Sequence, residues 1–147
     1  MNAIQIKGVS KKYKEVTALD DITFSFEFGK IYGLLGRNGA GKSTLINIIA
    51  NRIFADQGEV LIDGIPVKEN MGVHEKIFCM SETDLYDRDL KVKDHFKWTN
   101  RFYDGFDLSK ALEFAKKFHL DTTKRFKALS KGYQSIFKLI IALSLNV

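Results

Sequence analysis

Two segments in the first part of the chain alternate apolar and polar residues. They are Ala3 to Val9 and Ile22 to Phe28. Because successive side chains of a strand point to opposite faces, this pattern predicts two half-exposed strands of an antiparallel sheet. The later segment GEVLIDGIPV predicts a further hairpin whose turn lies at Asp63 and Gly64.

Two short apolar runs differ from these alternating segments because they have little polar interruption. Ile31 to Leu35 and Lys76 to Met80 are such runs, and they predict strands buried on both faces, as in the interior of a parallel sheet. Cys79, the single cysteine of the chain, lies in the second run. One cysteine excludes an internal disulfide, and its apolar setting favours a buried structural thiol.

The remaining periodicity is helical, with apolar residues three and four positions apart. The predicted helices are Lys42 to Arg52, Val92 to Phe102, Ser109 to His119 and Ser135 to Leu145. Asp104 and Gly105 predict the turn between the second and the third of them. The pattern as a whole therefore predicts a mixed α/β first half followed by a helical insert.

The composition narrows the class of protein. The chain has 147 residues, 45% hydrophobic and 28% charged, which suits one globular domain with its own core. The net charge of +5 comes from scattered basic residues, so we interpret them as a solvated surface and expect no nucleic-acid partner. The N-terminus has no signal-peptide pattern, and the longest apolar stretch, FKLIIALSLNV, is about half of a membrane span. These features predict a soluble protein.

The segment GRNGAGKS, Gly36 to Ser43, carries the strongest chemical signal in the chain. It fits the pattern of a glycine, four residues, and then Gly-Lys-Ser or Gly-Lys-Thr that binds phosphates. Its glycines let backbone N–H groups approach an anion, Lys42 supplies a positive charge, and the Ser43 hydroxyl is placed to ligate Mg²⁺. A chance glycine-rich turn is the alternative, but the predicted strand before it and the helix after it favour a nucleotide site. The glycine spacing differs from that of a dinucleotide fold.

A second motif, LSKGYQ from Leu129 to Gln134, precedes the last apolar helix. Alone it is typical of a helix N-terminus capped by Ser130. Together with the phosphate loop and the helical insert, it resembles the signature motif LSGGQ of ATP-binding cassette (ABC) transporter ATPases. GRNGAGKST resembles the Walker A loop of the same family, and the resemblance extends over the whole chain.

The resemblance implies an α/β P-loop NTPase (RecA-like) core with an N-terminal antiparallel β subdomain and a helical insert. It divides the chain into residues 1–80 with the β subdomain and Walker A core, 81–134 with the helical subdomain and signature, and 135–147 as the helix that follows. The residues implied to bind ATP are Tyr13, Gly36, Arg37, Asn38, Gly39, Ala40, Gly41, Lys42, Ser43 and Thr44. The residues implied to face the ATP of a partner domain are Ser130, Lys131, Gly132, Tyr133 and Gln134. Tyr13 takes the place of the aromatic residue that stacks on adenine.

Three departures from the family pattern affect these assignments. Lys131 replaces the first glycine of the signature pair, a variant that resembles bacterial export-type ATPases, and Tyr133 stands at the signature glutamine position with Gln134 next to it. Glu82 aligns with the Q-loop glutamine. A carboxylate there can still reach Mg²⁺, together with Ser43, but it cannot donate a hydrogen bond. An offset in the alignment is the alternative explanation for Glu82.

The residues that complete catalysis in the family have no match in this sequence. In the family, a strand with the Walker B aspartate, a second carboxylate and a switch histidine follow the signature helix. His74, His95 and His119 stand elsewhere and are interpreted as surface residues. The sequence thus resembles the first part of an ABC ATPase domain, with the catalytic residues unknown, and we expect these 147 residues alone not to hydrolyse ATP at a meaningful rate.

The function implied by the resemblance is that of an ATP-binding and ATP-hydrolysing subunit of a transporter. Its expected partners are a second ABC ATPase domain, identical or not, and an integral membrane subunit, with export favoured by Lys131. The expected location is the cytoplasmic face of the cell membrane, and the cofactors are ATP and Mg²⁺. Two alternatives stay open: a module that binds nucleotide without turnover, and an ABC ATPase that acts outside transport.

Overall fold

A computed structural model describes residues 2–68, 70–80 and 86–147 of the chain. They form two compact units, Met1–Ile77 and Phe78–Val147, here called the N-terminal and the C-terminal unit. Glu82, the predicted Q-loop position, lies outside the described residues.

An antiparallel sheet dominates the N-terminal unit. Its strands are β1 (Asn2–Tyr13), β2 (Val16–Glu27), β3 (Gln57–Ile62) and β4 (Ile65–Pro66), in the order β2-β1-β3-β4. The two strands predicted from alternation and the hairpin at Asp63 and Gly64 are confirmed, and β1 and β2 are longer than the alternation indicated. The turn between β3 and β4 has positive φ at both Asp63 (51°) and Gly64 (77°), as a tight two-residue hairpin requires.

The core of the N-terminal unit lies between this sheet and helix α1 (Lys42–Ile49). Its buried residues are Ile6, Val9, Leu19, Leu45, Ile48, Val60, Ile62, Val67 and Val73. Leu45 and Ile48 lie three residues apart on α1, so one face of the helix is buried and holds its first turn in a fixed place.

The two predicted interior strands are absent from the described structure, so this part of the sequence interpretation is wrong. Ile31 and Leu35 belong to no strand and are 101% and 93% exposed. The second run begins at the end of a 3-10 helix, Met71–Lys76, and continues without regular structure, with Cys79 only half-buried. A strand needs hydrogen-bonding neighbours, and among the described residues the four strands of the sheet pair only with one another.

The C-terminal unit consists of helices around an apolar core. They are α2 (Val92–Phe102), α3 (Leu108–Lys117) and α4 (Lys131–Ser144), and a 3-10 turn (Phe126–Ala128) precedes α4. The three predicted helices are confirmed. The buried apolar residues are Val92, Phe96, Phe106, Ala111, Ala115, Leu120, Phe126, Leu129, Phe137, Ile140 and Ile141. In the part of the chain that the structure describes, no helix combines the length and apolar character needed to span a bilayer.

His95 of α2 is buried, which corrects its interpretation as a surface residue. Only 6% of it is exposed, and its ring lies against the rings of Tyr86, Phe126 and Phe137, with centroids 5.4–5.9 Å away. The Nε2 atom lies 2.8 Å from the carbonyl oxygen of Asp87, so Nε2 carries the proton and donates. Burial lowers the pKa of the imidazole below 6.5, although the Asp87 carbonyl partly opposes this shift.

This buried imidazole predicts an acid-sensitive helical unit. The unfolded chain binds a proton near pH 6.5, whereas the folded chain binds it only at lower pH. The free energy of unfolding should therefore not depend on the charge of His95 above pH 6.5. It should decrease as the pH falls from 6.5 toward the lower pKa of the folded state.

Urea unfolding of the protein at pH steps from about 7.5 to about 5 measures this slope. His95→Gln keeps a donor for Asp87 and should flatten it, whereas His119→Asn, at an exposed histidine with φ 55°, should leave it unchanged. The carboxyl pKa values of three aspartates are also lowered, but from 3.8, so these groups change the free energy of unfolding only at pH values below the range of this titration. They are Asp56, Asp89 and Asp121. An unaltered slope in His95→Gln contradicts the assignment.

Candidate functional site

The glycine-rich loop before α1 contains two glycines with left-handed backbone. Gly39 and Gly41 have φ values of 85° and 82°, in the left-handed region that glycine adopts without strain. Gly41 is also the N-cap of α1, and a Cβ atom there would lie 2.2 Å from the carbonyl oxygen of Ala18 in β2. No other residue fits at this position, because the loop meets the sheet there without room for a side chain.

Lys42, the first residue of α1, turns its side chain back over the loop. Its ammonium group donates to the carbonyl oxygens of Gly36, at 2.6 Å, and Arg37, at 2.8 Å. The Arg37 oxygen also accepts from the Ala40 N–H at 3.1 Å, which closes the loop on itself. The loop thus carries a fixed positive charge at its centre.

The first turn of α1 adds a second source of positive potential. The first N–H groups of a helix have no acceptor within the helix, and the helix dipole places partial positive charge at the same end. These groups and the Lys42 ammonium lie on one short stretch of chain, which suits a polyphosphate.

Ser43 lies in this first turn, where it and Thr44 follow Lys42 directly along the helix. Within residues 2–68, 70–80 and 86–147 no group of three or more histidine, cysteine or acidic side chains is arranged to hold a metal ion. Glu82 lies outside the described residues, so Ser43 is the one predicted magnesium ligand that the structure describes. A single hydroxyl suits Mg²⁺ when substrate phosphates and water supply the other oxygens.

Tyr13 lies at the end of β1, paired with Val16 of β2. Its side chain is 46% exposed, and the Lys11 ammonium lies 5.6 Å from the centre of its ring. Ala18, which contacts Gly41, lies on β2 two residues beyond Val16, about 7 Å along the strand. The N-terminal unit therefore places Tyr13 and the phosphate loop at the same part of the sheet.

The predicted signature motif forms the N-terminus of α4. Ser130 is the N-cap, and its Oγ accepts from the Tyr133 N–H at 3.3 Å. Lys131, Gly132 and Tyr133 are exposed. A Cβ atom on Gly132 would have Ser130 Oγ 3.9 Å away and, apart from its own helix backbone and chain neighbours, no other atom of the described residues within 4 Å.

Gln134, the last residue of the motif, makes hydrogen bonds within its own chain. Its Nε2 donates to the carbonyl oxygens of Phe126 and Leu129, both at 3.3 Å, and the residue is half-buried. The side chain thus fixes the 3-10 turn against the start of α4. Contact with a partner's ATP stays a prediction for Ser130 to Gln134.

A backbone pairing that the sequence did not predict holds the signature turn. The Phe126 N–H donates to the backbone carbonyl oxygen of Leu90 and the Lys127 N–H to that of Arg88, both at 2.9 Å, and Lys91 forms an antiparallel bridge with Arg125. No local pattern signals this pairing, because its two segments lie more than thirty residues apart.

An ion cluster adds to this pairing. Asp89 Oδ1 accepts from Lys127 Nζ at 2.5 Å and lies 3.4 Å from Arg125. These contacts, above all the Lys127 hydrogen bond, hold the pKa of the Asp89 carboxyl below its usual value. The cluster is exposed, so it contributes more to the geometry of the turn than to stability.

Comparison with known proteins decides what this arrangement of motifs is. A family model described as ABC transporter matches residues 19–147. The chain belongs to the ABC transporter family. Two curated ABC relatives illustrate the range within it. The ABC transporter ATP-binding protein YtrB of Bacillus subtilis is 33% identical over 140 residues, which are 95% of this chain and 48% of YtrB. A putative ribose/galactose/methyl galactoside import ATP-binding protein of Albidiferax ferrireducens is 34% identical over 102 residues, 69% of this chain and 20% of that protein.

Solved structures of ABC proteins have the same fold. A putative ABC transporter ATP-binding protein from Pyrococcus furiosus superimposes with a TM-score of 0.84 at 27% identity, over 98% of this chain and 71% of that one. The ATP-binding cassette MJ0796, in a dimeric post-hydrolysis state bound to ADP and Pi, has a TM-score of 0.81 at 25% identity, over 96% and 69%. The predicted P-loop ABC cassette fold is therefore confirmed. The chain spans about half the length of YtrB.

Proposed function

We propose that this protein is the ATP-binding and ATP-hydrolysing subunit of an ABC transporter. The observation that carries the proposal is the position of Lys42, whose ammonium is held 2.6 and 2.8 Å from two loop carbonyls at the start of α1. Gly39 and Gly41 have positive φ values, a backbone conformation that glycine adopts without strain. Family membership and this geometry support the same role.

In this proposal the residues of the loop bind the triphosphate of ATP. Lys42 exchanges its carbonyl acceptors for β- and γ-phosphate oxygens, and the backbone N–H groups from Gly36 to Thr44 donate to the same anion. Tyr13 stacks on the adenine. Ser43 contributes a hydroxyl oxygen to Mg²⁺, with Glu82 as the second proposed ligand. When bound, Mg²⁺ neutralises charge that develops on the phosphates.

The segment from Ser130 to Gln134 is the proposed contact with a second ABC ATPase domain, identical or not. The N-terminus of α4 and the Ser130 hydroxyl would face the γ-phosphate of the ATP on that domain. The dimeric structure of MJ0796 supports pairing of two such domains. ATP would then favour the closed dimer, and hydrolysis would remove that advantage. Within this proposal residues 1–80 bind nucleotide, 81–134 carry the signature, and 135–147 lead onward from it.

The partner in the membrane is proposed to be an integral transport subunit, which places the protein on the cytoplasmic face. Export is the proposed direction, on the basis of Lys131. Co-purification with a polytopic membrane protein encoded beside its gene, followed by ATP-driven transport in inside-out vesicles, tests both points. Uptake into such vesicles supports export, and release from preloaded vesicles supports import.

A nucleotide-binding module without turnover is the second candidate for residues 1–147. The observation in its favour is that these residues contain no match to the Walker B carboxylates that orient and polarise water in the family. Phosphate release by a polypeptide of residues 1–147 separates the two functions. Turnover by that polypeptide would mean that a carboxylate within these residues performs the step.

Stacking by Tyr13 predicts weak discrimination between purine bases. A ring face accepts any base and reads no hydrogen-bond pattern, so GTP should compete with ATP within about tenfold. Competition against a fluorescent ATP analogue measures the ratio, and Tyr13→Ala should weaken both nucleotides alike. A preference of about a thousandfold for ATP would instead indicate hydrogen-bonding groups around the base.

A further inference from the structure

Asp56, the residue before β3, connects three residues at the end of β1. Its Oδ1 accepts from the Lys11 ammonium at 2.6 Å, its Oδ2 accepts from the Lys12 N–H at 2.7 Å, and its own N–H donates to Ser10 at 2.9 Å. One carboxylate therefore binds both the backbone and a side chain next to Tyr13.

These contacts hold Lys11 in an unusual way for a surface lysine. Its side chain is only 17% exposed, whereas the lysine of the Lys7–Glu59 ion pair on the same two strands is 52% exposed. The hydrogen bond from Lys11 is the main reason that the pKa of the Asp56 carboxyl lies below its usual value, followed by the bond from Lys12. A lysine held in this way has already lost rotamer freedom before any ligand arrives.

The held ammonium lies over one face of Tyr13. The distance of 5.6 Å from Nζ to the ring centre is within the range of a cation–π contact. Tyr13 is 46% exposed, so the residue remains accessible to a ligand. The ring is therefore braced on one side and accessible elsewhere.

We propose that Lys11 and Asp56 are positioning residues for the nucleotide base, which fix the Tyr13 ring so that its open face receives the purine. The proposal rests on the function proposed above. The two residues do not touch the base. They act through Tyr13, Asp56 by holding Lys11 and Lys11 by bracing the ring.

Two substitutions that change the net charge in opposite directions distinguish positioning of the Tyr13 ring from a general electrostatic attraction of phosphate. Lys11→Met removes a positive charge and Asp56→Asn removes a negative one, and the asparagine still offers an acceptor to the Lys12 N–H. A long-range charge effect would weaken ATP binding in the first variant and strengthen it in the second. Positioning of Tyr13 requires that both variants weaken it.

The test is calorimetric titration of the purified protein with ATP and, separately, with inorganic tripolyphosphate, which has no base. We expect Lys11→Met and Asp56→Asn to weaken ATP about threefold to fivefold and to leave tripolyphosphate within about twofold. Tyr13→Ala should weaken ATP about tenfold, and Lys11→Met should add nothing in that background. Glu59→Gln, which breaks the exposed pair on the same strands, serves as the control and should change neither ligand.

Each outcome bears on one proposal or the other. Equal losses for ATP and tripolyphosphate, opposite effects of the two charge changes, or additivity with Tyr13→Ala would overturn the positioning role while leaving the phosphate site intact. Failure of the wild-type protein to bind either ligand would overturn the proposed function itself. If Asp56→Asn does not fold by circular dichroism, Lys11→Met and its cycle with Tyr13→Ala decide the question alone.

Discussion

Replacing Lys42 by alanine should lower the affinity for ATP about a hundredfold or more. The ammonium now bound to Gly36 and Arg37 would donate two charge-assisted hydrogen bonds to phosphate oxygens, each worth about 1.5–3 kcal/mol. The fold should change little, because the two hydrogen bonds that the substitution removes have exposed loop carbonyls as acceptors, and the free energy of unfolding should shift by about 1 kcal/mol. Equilibrium binding of a fluorescent ATP analogue measures the affinity.

Lys30→Ala is the matched control for this prediction. Lys30 is exposed and lies in the same connection between β2 and α1, so its replacement changes the net charge equally. It should leave the affinity within about threefold, as expected for a screened surface charge. If Lys42→Ala binds ATP as tightly as the wild-type protein does, Lys42 does not contact the nucleotide.

Replacing Gly41 by alanine should disrupt both the loop and the N-terminal unit. The new Cβ would lie 2.2 Å from the carbonyl oxygen of Ala18 and 2.9 Å from Leu19 Cδ2, and the residue would have to keep a φ of 82°. Left-handed backbone costs about 1–2 kcal/mol, and overpacking against the strand adds about 1–3 kcal/mol. We expect a decrease of about 3 kcal/mol in the free energy of unfolding and at least about tenfold weaker ATP binding.

Gly39→Ala separates the close contact from the backbone strain. Gly39 has nearly the same φ, 85°, but among the described residues no atom beyond its two chain neighbours lies within 4 Å of its Cβ position. Its replacement should therefore lower the free energy of unfolding by only about 1–2 kcal/mol. Urea unfolding and ATP titration of both variants make the comparison. Equal decreases in the two variants would mean that the approach of the loop to β2 does not matter.

Local patterns predicted the elements whose contacts are close in sequence. The alternation within β1 and within β2, the turn at Asp63 and Gly64, and helix α2 are all signalled by residues a few positions apart. Ile31 to Leu35 failed for the opposite reason. Its apolar composition signals burial, but a strand forms only where another strand offers hydrogen bonds, and the described sheet offers none there.

In the candidate site, too, local features were predictable from the sequence and contacts between distant residues were not. The glycines and Lys42 were predictable because a phosphate loop is a contiguous motif with fixed spacing. The bond between Lys11 and Asp56 joins residues 45 positions apart, and that between Arg125 and Asp89 joins residues 36 apart. The motif predicted that Gln134 belongs to the signature turn. The hydrogen bonds from its side chain to the carbonyl oxygens of Phe126 and Leu129 became visible only in the fold.

Amide hydrogen exchange with and without ATP and Mg²⁺ tests the central claim most directly, because it reports where the nucleotide binds. The account predicts slower exchange at the amides from Gly36 to Thr44, and loss of that protection in Lys42→Ala. Residues Lys110 to Lys117 of α3, remote in sequence from every predicted contact, provide an internal reference that should not change. Unchanged exchange across the loop at saturating ATP, with protection elsewhere in the chain, would contradict the assignment of this loop as the nucleotide site.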